Sequence, residues 1–272
     1  MGSVTCLAES FRRARSSVRA YRLAPILVVL LVACGGGPAV GPPVATVAPD
    51  DAATLAAAPR STEGSGPVVP RAGTFSVLFE SRRVRVYSEP DRSSSTVRFG
   101  DRNPFGQPVP LLVEDWRRDE RGQGWIRVSL PVRPNGTDGW IREDDARIVR
   151  QRERIEVDLS ARTLTRYREN RLLDRFRVGI GNPTTPTSVG THYVWAHVPQ
   201  PSPAGPYGTY LLGLSAWSPF VTDPEGARLA IHGTSDPSDI GARVSQGCIR
   251  VFNEDMRDLR DVPMGTPVEI HP

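Results

Sequence analysis

Ser245-Gln246-Gly247-Cys248-Ile249-Arg250 is the stretch on which the reading of this 272-residue chain turns. The chain has three cysteines, and two of them, Cys6 and Cys34, lie in an N-terminal stretch that reads as an export signal and its processing site. Cys248 then has no partner for an internal disulfide, and a lone thiol set in such a block points to a nucleophile. A thiol of ordinary pKa is only a few per cent thiolate near neutral pH, so an efficient nucleophile needs an imidazole beside it. Ile231-His232-Gly233-Thr234 supplies one, with His232 sixteen positions before Cys248. That separation allows a strand end and a return loop to bring the two side chains together. Gly247 lets the backbone pass close to a bound carbonyl, so the amides of Gly247 and Cys248 are expected to donate to an oxyanion. Arg250 carries a planar fork suited to a substrate carboxylate.

Upstream, Arg12, Arg13, Arg15, Arg19 and Arg22 precede the apolar run Leu23 to Val32. A basic stretch, a short apolar stretch and small residues at the junction make a secretory signal. A run of about ten residues is too short to span a hydrocarbon core of roughly 30 Å as a helix. Leu31-Val32-Ala33-Cys34 resembles a bacterial lipobox, which makes residues 1–33 a lipoprotein-type signal peptide and Cys34 the lipidated N-terminus. With about 0.8 kcal/mol per buried methylene, two or three acyl chains hold a protein at a membrane where one does not. Residues 34–70, rich in Pro, Gly, Ala, Val, Ser and Thr, cannot bury enough apolar surface to offset backbone ordering and are expected to form a tether.

The formal charge of +4 comes entirely from arginine, since the chain has no lysine, and five of the arginines belong to the signal. The remainder is near neutral, and no basic stripe interleaved with aromatics appears. Nucleic acid is therefore not an expected partner.

Between residues 71 and 150, Phe75-Ser76-Val77-Leu78-Phe79, Val84-Arg85-Val86-Tyr87, Val109-Pro110-Leu111-Leu112-Val113, Trp125-Ile126-Arg127-Val128 and Gly139-Trp140-Ile141-Arg142 read as short strands. Asp91 to Ser95, Arg121 to Gly124 and Pro134-Asn135-Gly136-Thr137 read as the turns between them. A small barrel fits this spacing. From residue 153 the strand pattern resumes at Ile155 to Leu159, Thr163 to Tyr167 and Phe176 to Gly181. One short helix is expected with Asn253 as its N-cap and Leu259 on its buried face. The connection around Arg150 to Arg154 is too short and too charged to assign.

The early Val-Arg-Val-Tyr and the repeated Gly-Trp-Ile-Arg unit resemble a bacterial SH3-like domain, which implies that Trp125 and Trp140 pack a barrel and leaves Trp116 with nearby arginines as a possible wall contact. The His-Gly-Thr and Ser-x-Gly-Cys-Ile-Arg blocks, in that order, closely resemble the L,D-transpeptidase catalytic domain (YkuD-like). Gly181-Asn182-Pro183-Thr184-Thr185-Pro186-Thr187-Ser188-Val189-Gly190-Thr191 is a looser version of that family's Pro-Thr-Pro-x-Gly segment. The resemblance covers residues 153–272.

What the resemblance implies is a mainly β chain, an SH3-like barrel followed by an L,D-transpeptidase-type β-sandwich with one short helix. It implies a cysteine acyltransferase acting on peptidoglycan stem peptides. Cys248 would be the nucleophile, His232 the base, and the carbonyl of Gly233 the group that orients the imidazole, with Ser245, Gly247 and Arg250 engaging the substrate. Formation of 3-3 cross-links is expected outside the cytoplasm, by a monomer tethered through lipid on Cys34, with no cofactor and no metal. Gln246 stands where many relatives carry histidine, which bears on donor preference.

Four other readings stand beside this one. Hydrolases of the NlpC/P60 type place the cysteine before the histidine, whereas here only His271 follows Cys248. His192 and His197 are five apart, so on a strand they point to opposite faces, and no carboxylate or thiol cluster accompanies them as a metal site would require. An L,D-carboxypeptidase releasing D-Ala and an inactive wall-binding lipoprotein remain as alternatives to the transpeptidase.

Overall fold

Alternating apolar and polar residues make most of this chain into strands, and the computed structural model describes residues 73–79, 83–221 and 228–272. The signal peptide, Cys34 and the tether expected over residues 34–70 lie outside the described residues. Those described fall in one compact unit, 41–272.

The first sheet is antiparallel throughout, in the order β3-β2-β6-β5-β4-β1-β7. Its strands are β1 (Thr74–Phe79), β2 (Arg83–Tyr87), β3 (Thr96–Gly100), β4 (Leu111–Arg118), β5 (Gly124–Ser129), β6 (Asp138–Arg142) and β7 (Ala146–Gln151). Two of these, β3 and β7, are additions to the strands read from sequence. Strand β7 is the charged stretch left unassigned above; it is held by β1 in a register running from Thr74 opposite Gln151 to Phe79 opposite Ala146. One residue later the chain enters β8 (Glu153–Asp158). There the charge is internally paired, with buried Glu153 accepting from Arg166 Nε at 2.9 Å and from Arg168 Nη2 at 2.6 Å.

Trp116 is a core residue, buried with its ring edge-on to Phe75 at 5.4 Å, and so is not a wall contact. Trp125 and Trp140 are buried as well, forming with Tyr87 a separate aromatic cluster on the other face of the sheet.

The second sheet is mixed and has the order β10-β9-β8-β17-β12-β13-β14-β16. It contains β9 (Thr163–Arg168), β10 (Arg171–Arg177), β12 (Gly190–Pro199), β13 (Tyr210–Trp217), β14 (Arg228–Thr234), β16 (Ile249–Phe252) and β17 (Pro267–His271). Strands β11 (Ile180–Gly181) and β15 (Arg243–Ser245) pair beside it in parallel. The helix is α1 (Met256–Leu259), which buries Met256 and Leu259 as its sequence suggests. Its N-cap is Asp255, with no side-chain capping bond, rather than Asn253. Asn253 is occupied elsewhere: its amide accepts from the Thr209 backbone N–H at 2.8 Å and donates to the Pro203 carbonyl at 2.9 Å.

Strand β12 is buried on both faces because two cores claim it, which explains its near-continuous apolar run. Tyr193 and Trp195 join the core of the first sheet, while Val194 joins that of the second. Between the sheets, Arg228 lies 3.9 Å from the ring centroid of Trp195 and 4.0 Å from that of Trp217. It donates to the carbonyls of Leu214 and Pro131. Asn135 is more than a turn residue, since its amide bonds both the N–H and the carbonyl of Trp217, at 2.8 and 2.7 Å. The two sheets are thus joined by shared core and by side-chain clamps as well as by one residue of chain.

Candidate active site

Strands β14 and β16 run parallel, with Ile231 opposite Ile249, His232 opposite Arg250 and Gly233 opposite Val251. Side chains alternate along a strand and register partners share a face. Cys248 immediately precedes β16 and lies against the backbone of Ala230 on β14, two positions before His232, while Arg250 acts electrostatically on both groups. Strand pairing in the core is what converts sixteen residues of separation into a common site.

His232 is 2% exposed, and its Nδ1 lies 2.9 Å from the carbonyl oxygen of Gly233. A carbonyl only accepts, so Nδ1 carries the proton and the lone pair is on Nε2. Burial pushes the His232 pKa down to about 4; the Gly233 carbonyl works against this, Arg250 adds to it and Asp239 opposes it. The imidazole is therefore neutral at physiological pH and ready to accept a proton. Gly233 has no room for a side chain, because a Cβ there would collide with the amide of Asn253.

Cys248 is half-buried, and burial raises its pKa, while the backbone of Ala230 and the charge of Arg250 pull it down. The resting site is thus a neutral thiol with a neutral imidazole.

The loop before Cys248 is built around Ser245. Its hydroxyl donates to the Cys248 carbonyl at 2.6 Å and accepts from the Gly247 N–H at 3.1 Å. Two placements follow from these bonds. Ser245 is 2% exposed and shapes the loop from inside, and the Gly247 amide is committed to Ser245 instead of being free for an oxyanion. Gly247 has φ +113°, a backbone conformation that only glycine adopts without strain, and it forms the turn between β15 and Cys248. The loop rests on the Asn182 segment, since Asn182 N and Thr185 Oγ1 both donate to the Ser245 carbonyl. Within that segment Asn182 Oδ1 accepts from the amides of Thr184 and Thr185, which settles a turn that the departure from Pro-Thr-Pro-x-Gly had left open.

Arg250 is expected from sequence to face a substrate carboxylate, but its Nη1 lies 2.6 Å from Oδ1 of Asp239. The other oxygen of Asp239 accepts from Thr234 Oγ1 at 2.5 Å. Asp239 was not among the candidates. It sits in the 3-10 turn Pro237–Asp239 and ties Arg250 to the residue that follows Gly233.

Tyr207 is the second residue that sequence reasoning missed. Its ring stands edge-on to His232 at 5.3 Å, and its pKa is raised by burial and by the neighbouring Cys248. It marks the open side of the site, being 43% exposed while its ring packs on His232. Asn253 holds the loop that carries it. The Pro-Gly punctuation of residues 201–208 shows a loop in the sequence but gives no sign of where it folds.

His197 is engaged through Nδ1 with the Tyr210 hydroxyl at 3.1 Å, and His192 is buried. Neither joins His232 in a cluster.

Residues 152–270 match the family model described as the L,D-transpeptidase catalytic domain, YkuD. A protein of Bacillus licheniformis with the provisional name L,D-transpeptidase YkuD is 40% identical over 120 residues, which is 44% of this chain and 66% of that protein. Its Bacillus subtilis counterpart is 37% identical over 118 residues, 43% of this chain and 65% of the relative. The chain thus spans slightly less than two thirds of the length of these curated relatives. Among solved structures, a mutant of the Enterococcus faecium L,D-transpeptidase aligns at 26% identity with TM-score 0.36, over 44% of this chain and 50% of that one.

Proposed function

We propose that this protein, whose segment 152–270 belongs to the YkuD L,D-transpeptidase family, is an acyltransferase that cross-links peptidoglycan stem peptides through Cys248. The observation that carries the reading is the neutral, tautomer-locked imidazole of His232 on β14, paired with the strand that Cys248, the only described thiol, immediately precedes.

In the proposed cycle Cys248 Sγ attacks the carbonyl of the third residue of a tetrapeptide donor while its proton passes to Nε2 of His232. The C–N bond to the terminal D-Ala breaks, the proton goes to the departing amine, and a thioester remains. The side-chain amine of a second stem then attacks the thioester carbonyl and gives its proton to Nε2. The C–S bond breaks, the proton returns to sulfur, and a 3-3 cross-link is formed. The sparing exposure of His232 supports transfer to an amine, because a buried base is poorly supplied with bulk water. Gly233 supplies the carbonyl that orients the base, and Gly247 with Ser245 sets the position of the thiol. Arg250 in this reading acts from its pair with Asp239, biasing the field at both reacting groups, and meets a substrate carboxylate only by exchanging that partner.

We read residues 71–150 as an SH3-like module preceding the catalytic domain at 153–272. The protein is placed outside the cytoplasm, anchored through Cys34 with residues 34–70 as its tether, and acts as a monomer without cofactor or metal. The test is mass spectrometry of the protein and of Cys248→Ala after incubation with a disaccharide-tetrapeptide donor. A product of two donors less one D-Ala, absent with the variant, is expected. Tripeptide alone would make it an L,D-carboxypeptidase, and no Cys248-dependent product would leave a wall-binding protein.

A further inference from the structure

Strands β2 and β3 pair with Arg85 directly opposite Arg98. Both side chains are exposed, while Val84, Val86, Val97 and Phe99, which alternate with them, are buried. Like charges facing each other across a strand pair repel and destabilise the sheet. Among the described residues neither guanidinium has an acidic partner. The two line a concave space of about 390 Å³ together with Arg83, Arg142 and Tyr87, and Asp145 is the one acid in that lining. Volumes of roughly 300–1,000 Å³ are typical of small-ligand sites.

Charge is distributed unevenly around this groove. Arg142 is compensated, lying 2.8 Å from Asp144 and 4.0 Å from Asp145, with Gln123 accepting from it at 3.2 Å. The uncompensated charge is therefore concentrated at Arg85 and Arg98. Opposed Cβ positions on paired strands are about 4.5–5.5 Å apart, so both forks can converge on one group. A carboxylate brings one negative charge to two guanidiniums, whereas a phosphate brings up to two charges and more oxygens, and so matches an unpaired arginine pair better.

We propose that the groove between β2, β3 and β6 is a binding site for phosphate groups of a soluble polyanionic chain, distinct from the thiol site. A bilayer is disfavoured as the source of the phosphate, because membrane-surface sites combine basic residues with inserting apolar ones. Among the described residues the exposed large apolar ones are Phe105, Leu172, Val189, Tyr207, Phe220 and Val244, and none of these is on β2, β3 or β6. Nucleic acid is disfavoured because single strands need aromatic faces for stacking, and here Tyr87, Trp125 and Trp140 are 5%, 0% and 5% exposed.

The test is equilibrium binding of inorganic pyrophosphate, long-chain inorganic polyphosphate and acetate to the full chain and to Arg85→Gln/Arg98→Gln. The substituted side chains are exposed and their mutual repulsion is removed, so the variant should melt no lower than the parent protein and keep its rate of Cys248 alkylation. Pyrophosphate and polyphosphate are expected to bind the parent protein more tightly than acetate, more weakly as salt is added, and at least tenfold more weakly in the variant. Absence of pyrophosphate binding, or equal binding by the variant, would overturn the site. Capture by phosphatidylglycerol vesicles without polyphosphate binding would overturn the assignment of its ligand.

Discussion

Acidification should destabilise this protein through His232, by an amount that follows from its burial. The imidazole is held neutral down to about pH 4 in the folded state, against an ordinary value of 6.5. As pH falls through about 6.5 the unfolded chain takes up a proton at this position and the folded chain does not, so the unfolded state is favoured increasingly until the folded pKa is reached. The contribution of the neutral His232 is fully present above about pH 6.5 and lost on the way to about pH 4. An interval of about 2.5 pH units corresponds to about 3 kcal/mol, or about 1.4 kcal/mol per unit. That is a large share of the roughly 5–15 kcal/mol by which domains are stable. Urea unfolding of the parent protein and of His232→Gln, followed between about pH 7 and pH 4, measures it directly. His192 and His197 are also buried with lowered pKa values. Their contributions are common to both proteins and cancel in the difference. The parent should lose about 3 kcal/mol more than the variant over this range. Equal slopes would refute the argument that burial holds His232 neutral.

Three further outcomes follow from the same geometry. The acid limb of Cys248 acylation should fall near pH 4 and not near 6.5, since His232 accepts the thiol proton only while it is neutral; a limb near 6.5 in the pH profile would mean that another group is the base. Gly247→Ala should cost about 1–3 kcal/mol in urea unfolding and slow Cys248 alkylation. Its φ of +113° is strained for alanine and its Cβ would lie 2.8 Å from Leu229. Asn253→Ala should leave the core intact but remove hydrogen-exchange protection from the Thr209 amide, which Asn253 holds at 2.8 Å, and should raise the donor KM as Tyr207 loosens.

A neutral thiol beside a neutral base has a chemical consequence. A permanent thiolate would react with any electrophile at the surface. In the proposed cycle the nucleophile appears only as the proton moves to His232, which would tie reactivity to an acyl group bound deep enough to reach both. The Asp239–Arg250 pair sits next to this balance: Arg250 depresses the pKa of both His232 and Cys248, while Asp239 raises that of His232.

The strands with clean alternation were legible because period two is a local property: Val84 and Val86 inward, Arg83 and Arg85 outward. The candidate pair was legible as a proposal because glycine, histidine and cysteine stand in blocks whose chemistry needs those residue types. Strand β7 was not, since Arg147 and Arg150 mask its alternation and its partner β1 lies some seventy residues earlier. Asn253 reads as a helix cap by its neighbours, yet a loop more than forty residues away claims its amide. The sequence by itself determined a mainly β chain, the thiol and its imidazole. Only the tertiary structure decided that Asp239 takes Arg250, that Ser245 takes the Gly247 amide and that Tyr207 stands over His232. Each of those contacts is set by which distant strands pair and what burial then leaves unsatisfied, and no local pattern of residues encodes either.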